Sequence, residues 1–222
     1  MPRTARSRIR SWILAISCVV VGATSVSSPS TVYAQGPMSR STRAARLVDR
    51  ATRLEAAGHV PGAVGTFREA VQVDPSFAPA YVGLVRLYLS RGEVGAALEA
   101  ARVGRRRRPD DVALGLAEID ALVAAGRDEE ALASSLALTR FAPRSVEVWW
   151  AEGSLARERG RFVRALAAYR RIVRLAEEGA SIDPERVDEA RQLASALAML
   201  VGDLDLARIH CDASEVRAAL CE

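Results

Sequence analysis

Residues 58–75 read Gly-His-Val-Pro-Gly-Ala-Val-Gly-Thr-Phe-Arg-Glu-Ala-Val-Gln-Val-Asp-Pro. The stretch opens on a glycine, closes on a proline and carries one apolar face between them. Ala63, Phe67 and Ala70 stand at i, i+4 and i+7, the spacing of one side of a helix. The pattern recurs. Gly58, Gly92, Gly126 and Gly160 are evenly spaced, and Pro75, Pro109 and Pro143, like Ala63, Ala97, Ala131 and Ala165, keep the same interval. Three series in one phase define a repeat, and a period of about 34 residues is that of a two-helix hairpin unit.

The phase assigns a task to each position. Counted from residues 44, 78, 112 and 146, the glycine is fifteenth, where a left-handed backbone ends the first helix (A). The alanine is twentieth, on the second helix (B), where a small side chain lets the pair approach closely. In the fourth unit Tyr169 and Ile172 repeat the positions of Phe67 and Ala70. The proline, thirty-second, ends helix B.

These residues resemble the tetratricopeptide repeat. Glu69 to Pro75 match the end of that family's helix B; Tyr81, Leu84, Tyr88, Gly92 and Ala97 match the second unit, and Trp149, Gly153, Gly160, Ala165 and Tyr169 the fourth. The resemblance implies an all-α, right-handed α-solenoid of stacked helix–turn–helix units. They span 44–77, 78–111, 112–145 and 146–179, after a linker at 35–43. Residues 180–222 read as an insertion, a degenerate fifth unit and a cap. Gly202 and Ala207 keep the five-residue spacing but imply a start at 188, and Ser181 or Asp183 before Pro184 marks a helix start. Three departures stand out. Arg50, Glu118 and Glu152 occupy the usually apolar seventh position; Gly115 should leave unit three thinly packed; Glu177 replaces the fourth proline, so that helix B should run long.

Composition agrees with a helical chain. Half of the 222 residues are hydrophobic but only 5% aromatic, so the apolar mass is small and helix-favouring. Every one of the 31 basic residues is Arg. Arg3, Arg6, Arg8 and Arg10 precede an apolar run from Trp12 to Val21, and Val32-Tyr33-Ala34 then offers a small-x-small end. This is the layout of a signal peptide (1–34) cleaved before Gln35, which predicts a periplasmic or secreted protein. An uncleaved anchor, or lipidation at Cys18, is the alternative and the one route to membrane contact. Without the leader 27 Arg face 27 acids, so the basic charge belongs to the leader and nucleic-acid binding loses its support.

In the resembled family, A-helix positions 2, 5, 9 and 12 face the concave groove. The fifth positions are Val48, Val82, Leu116 and Trp150, and the ninth are Thr52, Arg86, Asp120 and Ser154. A protein partner is expected on Val82, Arg86, Leu116, Asp120, Trp150 and Ser154, with Trp150 and Leu116 as anchors. The alternative seat for Trp150 is packing against a neighbouring unit or the C-terminal cap. The family's carboxylate clamp would fall on Val48, Thr52, Gly83, Ala113 and Ala117, none of which binds a carboxylate by charge or amide.

Arg105, Arg106, Arg107 and Arg108 form the sharpest charge run. It reads either as a solvated helix end paired with Asp110 and Asp111 or as a contact for an anion or lipid headgroup. Cys211 and Cys221 either form one disulfide, through a turn at Asp212-Ala213-Ser214, or remain two thiols; on one unbroken helix they would stand about 15 Å apart. His59 and His210 lack companions for a metal or catalytic site, and no phosphate loop or nucleophile elbow occurs. The sequence thus points to a non-enzymatic scaffold without cofactor, serving cell-envelope assembly or transport. A structural subunit of a stable complex and an accessory activator of an envelope enzyme are its rivals.

Overall fold

The structure, a computed structural model, describes residues 38–203. The leader, with Cys18, and the segment holding His210, Cys211, Ser214 and Cys221 lie outside them. Nine α-helices follow one another among the described residues: α1 (Arg40–Ala56), α2 (Val60–Val73), α3 (Ala78–Ser90), α4 (Val94–Arg107), α5 (Val112–Ala124), α6 (Asp128–Phe141), α7 (Val146–Glu158), α8 (Phe162–Glu177) and α9 (Pro184–Leu200). Odd-numbered helices are the A members of each hairpin and even-numbered helices the B members. The described chain is an all-α repeat solenoid.

The corners explain the period. Gly58, Gly92, Gly126 and Gly160 all hold φ between 68° and 76°, a region that costs a residue with a Cβ. Each lets the next N–H reach back to a carbonyl five residues earlier, as His59 does to Leu54 (2.8 Å) and Arg161 to Ala156 (2.8 Å). Gly202 repeats the corner at φ 82°, with Asp203 bonded to the Ala198 carbonyl at 2.9 Å, so α9 ends as an A helix does.

Helices α1, α5, α7 and α9 start on side-chain caps, whereas α3 and the B helices do not. Asp111 accepts from the Leu114 N–H at 3.0 Å, Ser145 from Val148 at 3.4 Å, and Asp183, ahead of Pro184, from Glu185 at 3.1 Å. The inner A helices α3, α5 and α7 are 13 residues long, whereas α1 and α9 have 17. The extra turn of α1 begins at Arg40, inside the stretch expected to be linker, because Ser39 caps it through the Thr42 N–H at 3.1 Å. Helix α8, which lacks the closing proline, reaches 16 residues against 14 for the other B helices.

Packing joins the units into one line. Ala63, Phe67 and Ala70 are buried on α2, and Ala165, Tyr169 and Ile172 on α8. The backbones of consecutive A helices come close, α1 to α3, α3 to α5 and α5 to α7, while among the described residues no two B-helix backbones do; only side chains such as Arg102 to Glu130 and Arg164 to the Leu132 carbonyl bridge the B helices. Helices close on one side and splayed on the other must curve toward the close side, so the A helices line the concave face. Helix α9 departs from this order: its backbone lies against α8 and stands clear of the α7 backbone.

Two expectations about weak packing are corrected. Gly115 leaves no gap, because a Cβ there would stand 2.8 Å from a Leu138 methyl; the α6 side chain already fills the space. Two of the three charged seventh positions are paired, and the third, Arg50, is exposed on α1. Glu118 meets the Arg105 guanidinium at 3.4 Å, and Glu152, only 3% exposed, is paired with Arg164 of α8.

Candidate functional site: the concave face

Two recesses open on the A-helix face. The first, about 250 Å³, lies between α1, α3 and α5 and is floored by Val48, Phe67, Pro79, Val82 and Gly83. Its charges are balanced from within. Arg86 grips both oxygens of Glu55, with Nη2 to Oε2 at 2.7 Å, and the Asp111 carboxylate caps α5. Val48, Thr52, Gly83 and Ala113, four of the five positions matched to a carboxylate clamp, line this recess, and their side chains make it apolar.

The second recess, about 280 Å³, lies between α5 and α7. Ile119, Val123, Ala151 and Leu155 form its walls, and Asp120, Ser154 and Glu158 its polar edge. Ser154 Oγ is 3.3 Å from the Tyr169 hydroxyl. Asp120 has solvent on one side, yet the protein crowded about its carboxylate raises its pKa above the ordinary aspartate value by desolvation.

The expected partner residues therefore divide. Val82 and Arg86 belong to the first recess; Asp120 and Ser154 belong to the second. Leu116 is half-buried against the α5–α6 core and lines neither. Trp150 takes the alternative seat. Its ring meets Tyr169 edge-on at 5.5 Å between centroids, and the Arg186 guanidinium of α9 lies 4.9 Å above it, a cation–π contact. A side chain so occupied is a structural strut between α7, α8 and α9.

The arginine run is half engaged. Arg105 bonds Glu118 and the Pro109 carbonyl, not the carboxylates of Asp110 or Asp111. Arg106 lies 3.4 Å from Glu99, and exposed Arg107 and Arg108 make no ion pair among the described residues. Sequence reasoning did not single out the recess residues Ile119, Leu155 and Glu158, at positions 8, 10 and 13 of their units, beside the ninth and twelfth positions of the groove pattern. Val123 occupies the twelfth, groove-facing position, and that placement was its signal. Among the described residues no group of His, Cys, Asp and Glu is placed to hold a metal ion, and no helix is long and apolar enough to cross a membrane.

Stacked hairpins with an open concave face define an α-solenoid. The family described as Tetratricopeptide repeat matches residues 54–118 and again 116–180. The chain belongs to the tetratricopeptide-repeat family, whose repeats make it a protein–protein interaction scaffold; proteins of this fold are generally non-catalytic. Several solved structures share the fold. A thermophilic TPR protein of Thermus thermophilus is 22% identical, with a TM-score of 0.56 over 80% of this chain and 93% of that one. YrrB, a TPR protein with an unusual peptide-binding site, is 18% identical, with a TM-score of 0.54 over 76% and 83%. MamA from Desulfovibrio magneticus is 15% identical, with a TM-score of 0.58 over 77% and 92%. No curated protein matches the chain in sequence.

Proposed function

We propose that this protein is an exported, non-enzymatic scaffold that binds an extended peptide or helix of a partner along its concave face, in cell-envelope assembly or transport. The observation that carries the reading is the pair of apolar-walled recesses at consecutive steps of the A-helix stack. Recesses in series suit an elongated ligand whose side chains enter them in turn. A tetratricopeptide protein of similar fold has a peptide-binding site, which supports the use of the fold in this way. Export rests on the basic, apolar and small-residue order of the leader, 1–34.

A rival reading has a specific observation behind it. Phe141 on α6 is 53% exposed and Val163 on α8 is 71% exposed, both on B helices. A permanent complex built on the outer face would cover them. A photo-crosslinking residue at Val82 and, separately, at Val163 tells the readings apart in intact cells. Adducts from Val82 alone support the groove; adducts from Val163 alone transfer the function to the outer face. Cell fractionation with mass analysis of the mature chain tests export, with Gln35 as the expected first residue. A chain that stays in the cytoplasm with its leader attached removes the envelope role.

A further inference from the structure

The four ninth positions line up along the groove, and three of their polar side chains have partners. The Thr52 hydroxyl donates to the Val48 carbonyl at 3.0 Å, Arg86 holds Glu55, and Ser154 meets Tyr169. Asp120 makes no hydrogen bond or ion pair among the described residues. The carboxylate keeps solvent on one side, and the protein crowded on the other offers it no donor and raises its pKa by desolvation. Such a group gains most from a cation supplied from outside.

Its surroundings fit one kind of cation. Glu158 borders the same recess and adds a second carboxylate. The nearest guanidinium to Glu158, that of Arg159, is 4.0 Å away and is committed to Asp128 at 2.5 Å. Ile119, Val123 and Leu155 give the recess apolar walls. An arginine or lysine side chain has the matching construction, an apolar stem carrying a charged tip. The first recess contrasts with this one, since Arg86 there is paired with Glu55 and the Asp111 carboxylate is used as the cap of α5.

We propose that the α5–α7 recess is the subsite for an arginine or lysine side chain of the bound peptide, its stem against Ile119, Val123 and Leu155 and its charge between Asp120 and Glu158. The neighbouring α1–α3–α5 recess takes an uncharged apolar side chain, so the groove selects a peptide with both kinds of residue in a fixed register. This inference rests on the groove reading above and adds ligand charge to it.

A random 12-residue peptide display library selected on the full chain tests it. Enriched peptides are expected to carry Arg or Lys at one fixed distance from an apolar residue. Replacing that cation by norleucine in a synthesised peptide should weaken binding about tenfold with the native protein, and less than about twofold with Asp120→Asn, a double-mutant cycle that isolates the contact. The native preference should shrink between low and high salt. Circular dichroism confirms that each variant is folded, and Glu158→Gln repeats the cycle should Asp120→Asn lose helix. Enriched peptides with an apolar pattern and no cation preference, or a preference that survives both substitutions, overturn the inference and leave the groove reading standing. A selection that enriches nothing overturns both.

Discussion

Gly83 of α3 and the ring of Phe67 of α2 share one space: a Cβ on Gly83 would lie 2.4 Å from two ring carbons. The contact joins the first unit to the second at the floor of the first recess, and it admits only hydrogen at that Cα. Gly83→Ala is expected to displace the ring and cost about 1–3 kcal/mol, read as a lower urea midpoint. Gly153→Ala faces the Tyr169 ring at 3.0 Å and should cost less. An unchanged midpoint for Gly83→Ala would show that the ring can swing away freely.

Arg164→Met leaves Glu152 charged in a buried site. Arg164 also reaches the Leu132 carbonyl at 3.5 Å, and the second oxygen of Glu152 already lacks a partner. Loss of the guanidinium should destabilise by about 3 kcal/mol, whereas the double change Glu152→Leu with Arg164→Met should recover most of that. Thermal melts of the three proteins check the order.

Asp120 supplies a pH dependence of known sign. Its folded pKa is raised, so the folded chain binds this proton more tightly than the unfolded one. The stabilisation from protonation is fully present below the unfolded pKa and is lost as pH rises through the folded value. Asp120→Asn should therefore melt slightly higher than the native chain at neutral pH, within about 2 °C given the partial exposure. The difference should vanish in acid. A gain that persists at low pH would assign the effect to packing instead.

Trp150→Ala removes an aromatic ring that α7, α8 and α9 share. A fall in stability of about 2–4 kcal/mol is expected, concentrated in the last hairpins. Hydrogen exchange should accelerate in α8 and α9 while α1 to α4 stay protected. Reduced ligand binding by this variant would therefore report loss of the strut, and probes at Val82 or Asp120 read the groove more directly.

The corners were legible because a backbone conformation that favours glycine, repeated once in every unit, leaves its mark in sequence without help from tertiary contacts. The Asp183 cap and the long α8 were legible for the same local reason. Glu118 and Glu152 looked like flaws in an apolar stripe because their partners, Arg105 and Arg164, stand on neighbouring helices, one in the preceding unit and one across the hairpin, and such pairing has no sequence marker. Gly115 misled similarly, since Leu138 fills its space from the following helix. Trp150 satisfies the groove pattern by spacing, but the lean of α9 on α8 brings Arg186 over it, and no repeat rule anticipates that tilt.

Because the A-helix backbones stand close to their like and the B-helix backbones do not, the solenoid resists bending unequally. Tightening the arc presses a continuous row of side chains together, whereas opening it parts that row and presses only on sparse side-chain bridges between the B helices. Deformation therefore follows one soft direction, uncurling, in the manner of a hinged strip. A ligand too broad for the groove would be admitted by flattening the strip, and the energy of that flattening would count against its affinity.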